Sequence, residues 1–265
     1  MTVGAVLESG LVSPETKFRL PGTIRVADRV IHDAAPRGTQ TMTVAQILSQ
    51  SSNVGVITLA IQLQRQQLSQ WIRRFGFGRK TGVDYPGETR GIVLPPDEWS
   101  GSTIGNVPIG QGIAVTPLQM VAAYGAIAND GVWIEPHFVD RVVGQERTKP
   151  KTRRVISKQT ASQLTRMLRG VVEEGSGVTA QIDGYRVAGK TGTAAKPDPT
   201  GGYSTSRYVA SFVGFAPASN PQIVVLVTVD EPRGAIWGGT VAAPAFAEIG
   251  QFALEYLEIP PDSAG

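Results

Sequence analysis

The chain has 265 residues, 41% of them hydrophobic and 18% charged, which is enough apolar material for a buried core and too little charge for a disordered polyelectrolyte. Lys plus Arg exceed Asp plus Glu by 25 to 22, and the one dense basic run, residues 147–154, also holds a proline and threonines, so it reads as a solvated loop rather than a nucleic-acid patch. With no cysteine, disulfides, thiolate metal sites and a cysteine nucleophile are excluded, and no stretch reaches the roughly 18 apolar residues of a membrane span.

In chain order, Val3, Val6, Leu7 and Leu11 follow a helical period up to Gly10 and Pro14, the end of a helix whose beginning lies outside these residues. A second helix is expected from Thr43 through Leu48. After the interruption Gln50-Ser51-Ser52-Asn53, a third carries Val56, Ile57, Leu59, Ala60, Ile61 and Leu63. Thr116-Pro117 places a capping hydroxyl before a first-turn proline, and Leu118, Val121, Ala122 and Gly125 give the next helix one apolar face. Ser157 caps another, in which Leu164, Met167, Leu168, Val171 and Val172 fall at i, i+3, i+4, i+7 and i+8 before residues 174–177 end it. Beyond Gly177 the pattern turns to strand at residues 185–188, 208–215 and 223–229, and a helix is expected at about 244–257. Helices first, strands after and a closing helix predict an α+β domain with a mostly antiparallel sheet. The domain is expected over residues 1–259, followed by a disordered tail at 260–265.

Gly184-Tyr-Arg-Val-Ala-Gly189-Lys190-Thr191 matches the P-loop pattern, in which backbone amides cradle phosphate and the lysine neutralises it. That reading requires a buried strand before the first glycine and a helix starting at the lysine. Residues 179–183 are too polar for such a strand, and Gly192, Pro197, Pro199, Gly201 and Gly202 forbid the helix. The alternative puts Lys190-Thr191-Gly192-Thr193 on an edge-like strand facing a cleft. There Gly192 admits an extended ligand close to the backbone, while the hydroxyls and the ammonium hold a carboxylate. Ser51-Ser52-Asn53 supplies an S-x-N turn upstream, and S-x-N followed by K-T-G is the pair found in penicillin-binding proteins and class A β-lactamases.

Together with Gln50-Ser-Ser-Asn-Val-Gly55, Arg74-Phe-Gly-Phe-Gly78, Gly110-Gln-Gly-Ile-Ala-Val-Thr-Pro-Leu-Gln119, Gly214-Phe-Ala-Pro-Ala218 and Gly238-Gly239 ahead of Ala243-Pro-Ala-Phe246, these motifs make the whole chain resemble the transpeptidase domain of class B penicillin-binding proteins, especially the division-type branch. The resemblance implies a penicillin-binding/β-lactamase-like fold, a mostly antiparallel sheet flanked by helices plus a helical lobe. It also implies a serine acyl-transfer enzyme that cross-links peptidoglycan stem peptides and is trapped by β-lactams. It implies no metal or organic cofactor, a place on the outer face of the cell membrane, and membrane partners of the division or elongation machinery engaged through other regions. By the same resemblance Ser51 relays a proton to the leaving nitrogen. Asn53 orients the acyl side chain of the stem, and Lys190 supplies positive potential near the catalytic lysine. Thr191 and Thr193 hold the terminal carboxylate, with Gly192 between them, and the backbone near Thr193 gives one oxyanion donor.

The family's nucleophile lies in S-x-x-K, which these 265 residues do not contain; Ser13-Pro-Glu-Thr-Lys17 is one residue too long. The expectation is therefore a transpeptidase domain cut just after S-x-x-K and inactive by itself. A non-catalytic muropeptide- or β-lactam-binding module is the alternative; a serine β-lactamase, nearer in chemistry, is disfavoured because the chain lacks an obvious acid to activate a deacylating water. Plainer roles are also expected: Ser51 and Asn53 as helix caps, His32 and His137 as surface residues, Trp71, Trp99 and Trp133 as packing residues, and Trp237 at a cleft rim. Asp230 and Glu231 are expected to point to opposite faces of a solvated turn.

Overall fold

The computed structural model describes residues 1–146 and 149–262. Helix α1 (Thr2–Glu8) is buried from Thr2 to Leu7, which marks a central helix enclosed on all sides; α3 and α6, described below, pack on it. Next come four short strands that the sequence pattern did not reveal. β1 (Lys17–Leu20) pairs antiparallel with β4 (Gln40–Thr43), and β2 (Thr23–Val26) with β3 (Arg29–His32). Each has only four residues and buries at most one, so the alternation that betrays a strand has no room to show.

Helix α2 (Val44–Ser49) starts with a capping box: Thr43 Oγ1 accepts from Gln46 N at 3.1 Å, and the Gln46 side chain accepts from Thr43 N at 2.9 Å. Helix α3 (Asn53–Arg74) is interrupted at Gln64, whose φ is 63°. After α4 (Thr103–Asn106), α5 (Pro117–Ala128) opens on the Thr116–Gln119 capping box. Hairpin strands β5 (Val132–Ile134) and β6 (Thr152–Arg154) follow. The expected basic loop is thus partly a strand, stabilised where Arg153 stacks on Trp133 with the guanidinium carbon 4.6 Å from the ring centroid; Arg147 and Thr148 lie outside the described residues. Helix α6 (Lys158–Glu173) is capped by Ser157 and buries Leu164, Met167, Leu168, Val171 and Val172 as its period predicts.

A three-stranded antiparallel sheet follows, in the order β7 (Ala188–Pro197), β8 (Tyr203–Ala216), β9 (Ile223–Asp230). The strand expected at 185–188 in fact begins at Ala188 and runs on through a small-residue stretch of low β propensity. Its partner decides this, because β8 offers a ladder from Phe215 to Tyr203 and cross-strand pairing outweighs local preference. Helices α7 (Gly238–Val241) and α8 (Ala243–Tyr256) complete the chain. Strand β8 separates two hydrophobic cores: Phe215 joins that of α1, α3, α5 and α6, whereas Phe212 and Ala216 join Phe246 and Leu254 of α8. The Phe212 and Phe246 rings lie 4.7 Å apart. Of the expected tail, residues 260–262 are fastened to the domain. Asp262 N donates to Gly184 O at 3.1 Å, and the Asp262 carboxylate accepts from Arg186 N and Ser219 Oγ at 2.7 and 2.5 Å. Residues 263–265 lie outside the described residues.

Candidate active site

The site has two walls. One is the corner between α2 and α3. Ser52, not Ser51, caps α3, its hydroxyl accepting from Gly55 N at 3.0 Å. Ser51 is exposed and held at φ 55°, an uncommon conformation for a residue with a side chain, and its hydroxyl has no hydrogen-bond partner among the described residues. The expectation that Ser51 caps the helix is thus corrected: Ser52 takes that role and turns Ser51 outward. The corner is pinned from below by Asp33, a buried carboxylate just beyond β3. Asp33 accepts the Ser52 hydroxyl at 3.0 Å and Val54 N at 2.9 Å, and pairs with Arg37 at 2.5 Å. Asn53 Nδ2 donates to His32 O at 3.0 Å, so His32 contributes its backbone rather than its imidazole.

The other wall is β7, an edge strand whose only sheet neighbour among the described residues is β8. Lys190 Nζ donates to Thr191 Oγ1 at 3.0 Å and Thr191 O at 3.2 Å. Lys190 keeps partial solvent access, yet the protein around its ammonium desolvates it and lowers its pKa to about 8. Thr193 Oγ1 accepts from Gly238 N at 3.1 Å, which leaves its own proton for a ligand. Glycine is required here for closeness: a Cβ on Gly189 would lie 2.5 Å from the Phe212 ring, and one on Gly238 would lie 2.2 Å from Ser211 O and 2.4 Å from Gly192 O. The turn carrying Trp237, which is exposed, therefore rests directly on the K-T-G strand. With Lys190 inside a strand and no helix following, the P-loop geometry is absent.

Among the described residues no hydrogen bond joins Ser51 or Asn53 to Lys190; the two walls are joined through Ser176, just past α6. Ser176 N donates to Ser49 O at 3.1 Å, and Ser176 Oγ lies 2.8 Å from Thr191 Oγ1 and 3.5 Å from Lys190 Nζ. The sequence pattern marks residues 174–177 only as a helix end. Asp33 was missed too, because it sits 19 residues before its hydroxyl partner. At the outer end of the β7–β8 hairpin, Arg29 of β3 lies over the Tyr203 ring at 5.7 Å. There Asp230 and Glu231 both reach Lys196, at 2.7 and 2.8 Å. They converge instead of pointing apart because Glu231, at φ 49°, leaves the strand.

Residues 1–251 match the family described as the penicillin binding protein transpeptidase domain. The chain belongs to that family. The domain is 38% identical to penicillin-binding protein PbpB of Mycolicibacterium smegmatis over 98% of the chain and 42% of the relative. It is 34% identical to the probable peptidoglycan D,D-transpeptidase PbpC of Pseudomonas aeruginosa over 99% of the chain and 46% of the relative. The crystal structure of penicillin binding protein 3 from Mycobacterium tuberculosis complexed with ampicillin superposes with a TM-score of 0.91 at 38% identity, covering 99% of this chain and 62% of that one. The transpeptidase domain thus spans about two fifths to three fifths of the relatives it matches. Its α+β architecture is that of penicillin-binding proteins.

Proposed function

We propose that the chain forms the substrate-binding walls of a peptidoglycan D,D-transpeptidase that acts outside the cytoplasmic membrane, and that β-lactams occupy the same cleft. One observation carries the reading: an edge strand presents a lysine and two threonine hydroxyls beside an S-x-N corner, and one serine connects the two. An extended stem peptide lies along β7. Its terminal carboxylate accepts hydrogen bonds from the Thr191 and Thr193 hydroxyls in the positive field of Lys190, and Asn53 uses its free amide capacity on the acyl side. In this reading Ser51, exposed and with a hydroxyl that has no hydrogen-bond partner among the described residues, passes a proton to the leaving nitrogen. In the reaction, a serine hydroxyl adds to the penultimate D-Ala carbonyl, the peptide bond breaks, and D-Ala leaves with the proton. The amine of a second stem then displaces the serine. That serine and its lysine base belong to S-x-x-K, so the 265 residues alone bind without acylating. Partners in the division or elongation machinery belong to the same proposal.

Intact-mass analysis after incubation with a fluorescent penicillin tests the reading on two proteins, this chain and a chimera joined to the S-x-x-K segment of a relative. An adduct on the chimera alone is expected; an adduct on this chain would place the nucleophile within these residues. No adduct on a folded chimera would favour a non-catalytic binding module. Reversible binding of a D-Ala-D-Ala peptide should weaken as pH rises through about 8, where Lys190 loses its charge. Binding that stays flat from pH 7 to 9.5 would remove Lys190 from the carboxylate site.

A further inference from the structure

We propose that Ser176 is a positioning residue for carboxylate recognition, aiming the Thr191 hydroxyl proton into the cleft; the inference rests on the function proposed above. A hydroxyl has one proton to give and two lone pairs to fill. Lys190 Nζ, with three protons and nothing to accept with, donates to Thr191 Oγ1 at 3.0 Å. Ser176 Oγ stands 2.8 Å from the same oxygen. When Ser176 donates there, both lone pairs of Thr191 are filled, and the Thr191 proton has no acceptor left within the array. It points to the open side of an edge strand, where an anionic ligand would complete the set.

The backbone around Ser176 is built to hold this position. A Cβ on Gly175 would lie 2.4 Å from Ser49 O, so only glycine permits the Ser176 N–H to reach that carbonyl at 3.1 Å. Gly177 N returns to Val171 O at 2.9 Å and closes the end of α6, and a Cβ there would press on the Phe212 ring at 3.0 Å. Ser176 O in turn sits 2.5 Å from where a Cβ of Gly239 would be. The backbone at Ser176 is therefore held at Ser49 on one side, by the Gly238-Gly239 turn on the other and by the sheet beneath, and its hydroxyl meets Thr191 and Lys190. The adjoining groups leave no competing role: no carboxylate is hydrogen-bonded to Lys190, Thr191 or Ser176 among the described residues.

The test compares binding of diacetyl-L-Lys-D-Ala-D-Ala and its C-terminal amide to the chain, its Ser176→Ala variant and its Ser176→Thr variant, with thermal melts as a fold check. Expected is about a tenfold loss for the free acid in Ser176→Ala, no change for the amide, and recovery in Ser176→Thr. Equal affinity of Ser176→Ala and the parent for the acid would overturn the assignment, as would equal losses for acid and amide. If the parent itself does not prefer the acid, the carboxylate site proposed above fails. Ser176 is still tested in that case by following the Lys190 ammonium by NMR. Removal of an acceptor of its proton should lower its pKa further in Ser176→Ala and not in Ser176→Thr, and identical titrations would overturn the array.

Discussion

The two walls of the cleft are held by opposite means. At the α2–α3 corner, side chains do the holding: Asp33, Arg37 and Ser52 form a buried network that supports two backbone turns. At the β7 strand the backbone does it, through a ladder with β8 and a run of residues too small to obstruct. The corner should fail when atoms are removed, and the strand when atoms are added.

The largest effect expected is at the corner. Asp33→Ala strips the carboxylate from the Ser52 hydroxyl, the Val54 N–H and the half-buried Arg37 guanidinium, and breaking this ion pair together with its hydrogen bonds should lower stability by about 3–5 kcal/mol in urea unfolding. A loss below about 1 kcal/mol would mean the corner does not depend on that network. Adding one methyl to the other wall is next. Gly238→Ala forces a Cβ against two carbonyl oxygens and should cost about 1–3 kcal/mol and weaken peptide binding, since overpacking displaces the turn. Unchanged binding would detach that turn from the site.

Away from the walls, Glu8 sharpens the contrast because it joins α1 to the start of α6 by charge. Burial alone would raise its pKa, but hydrogen bonds from Thr160 and Ser157 outweigh it and lower the pKa below the usual glutamate value. Its stabilisation is thus complete above the unfolded pKa of about 4.3 and is lost as pH falls through the lower folded value. Glu8→Gln should cost about 1.5 kcal/mol at neutral pH, with the gap closing below about pH 4; a gap independent of pH would contradict the assignment. The smallest effect is expected from Thr43→Ala, which removes one reciprocal cap of α2 at about 1 kcal/mol in the same unfolding assay.

Long helices were legible because their signals are local. The caps Thr116 and Ser157 and the buried period of α6 follow from residues within a few positions of one another. The K-T-G and S-x-N residues were legible as motifs, and their chemistry constrained them to a strand and a helix corner. The short strands were not legible because four residues leave no room for an alternation to show, and the assignment of the cap to Ser52 rather than Ser51 was not, because Asp33, 19 residues upstream, selects it.

The sequence by itself determined the class of the fold, the helices with their caps, and which residues carry the site motifs, since each depends on neighbours along the chain. The tertiary structure alone decided the extent of β7, the outward turn of Ser51, the approach of Gly238 to the strand and the junction at Ser176. Those features depend on atoms distant along the chain meeting at hydrogen-bond distance, such as Ser176 with Thr191 and with Ser49, and Thr193 with Gly238, and packing sets such distances where local pattern cannot.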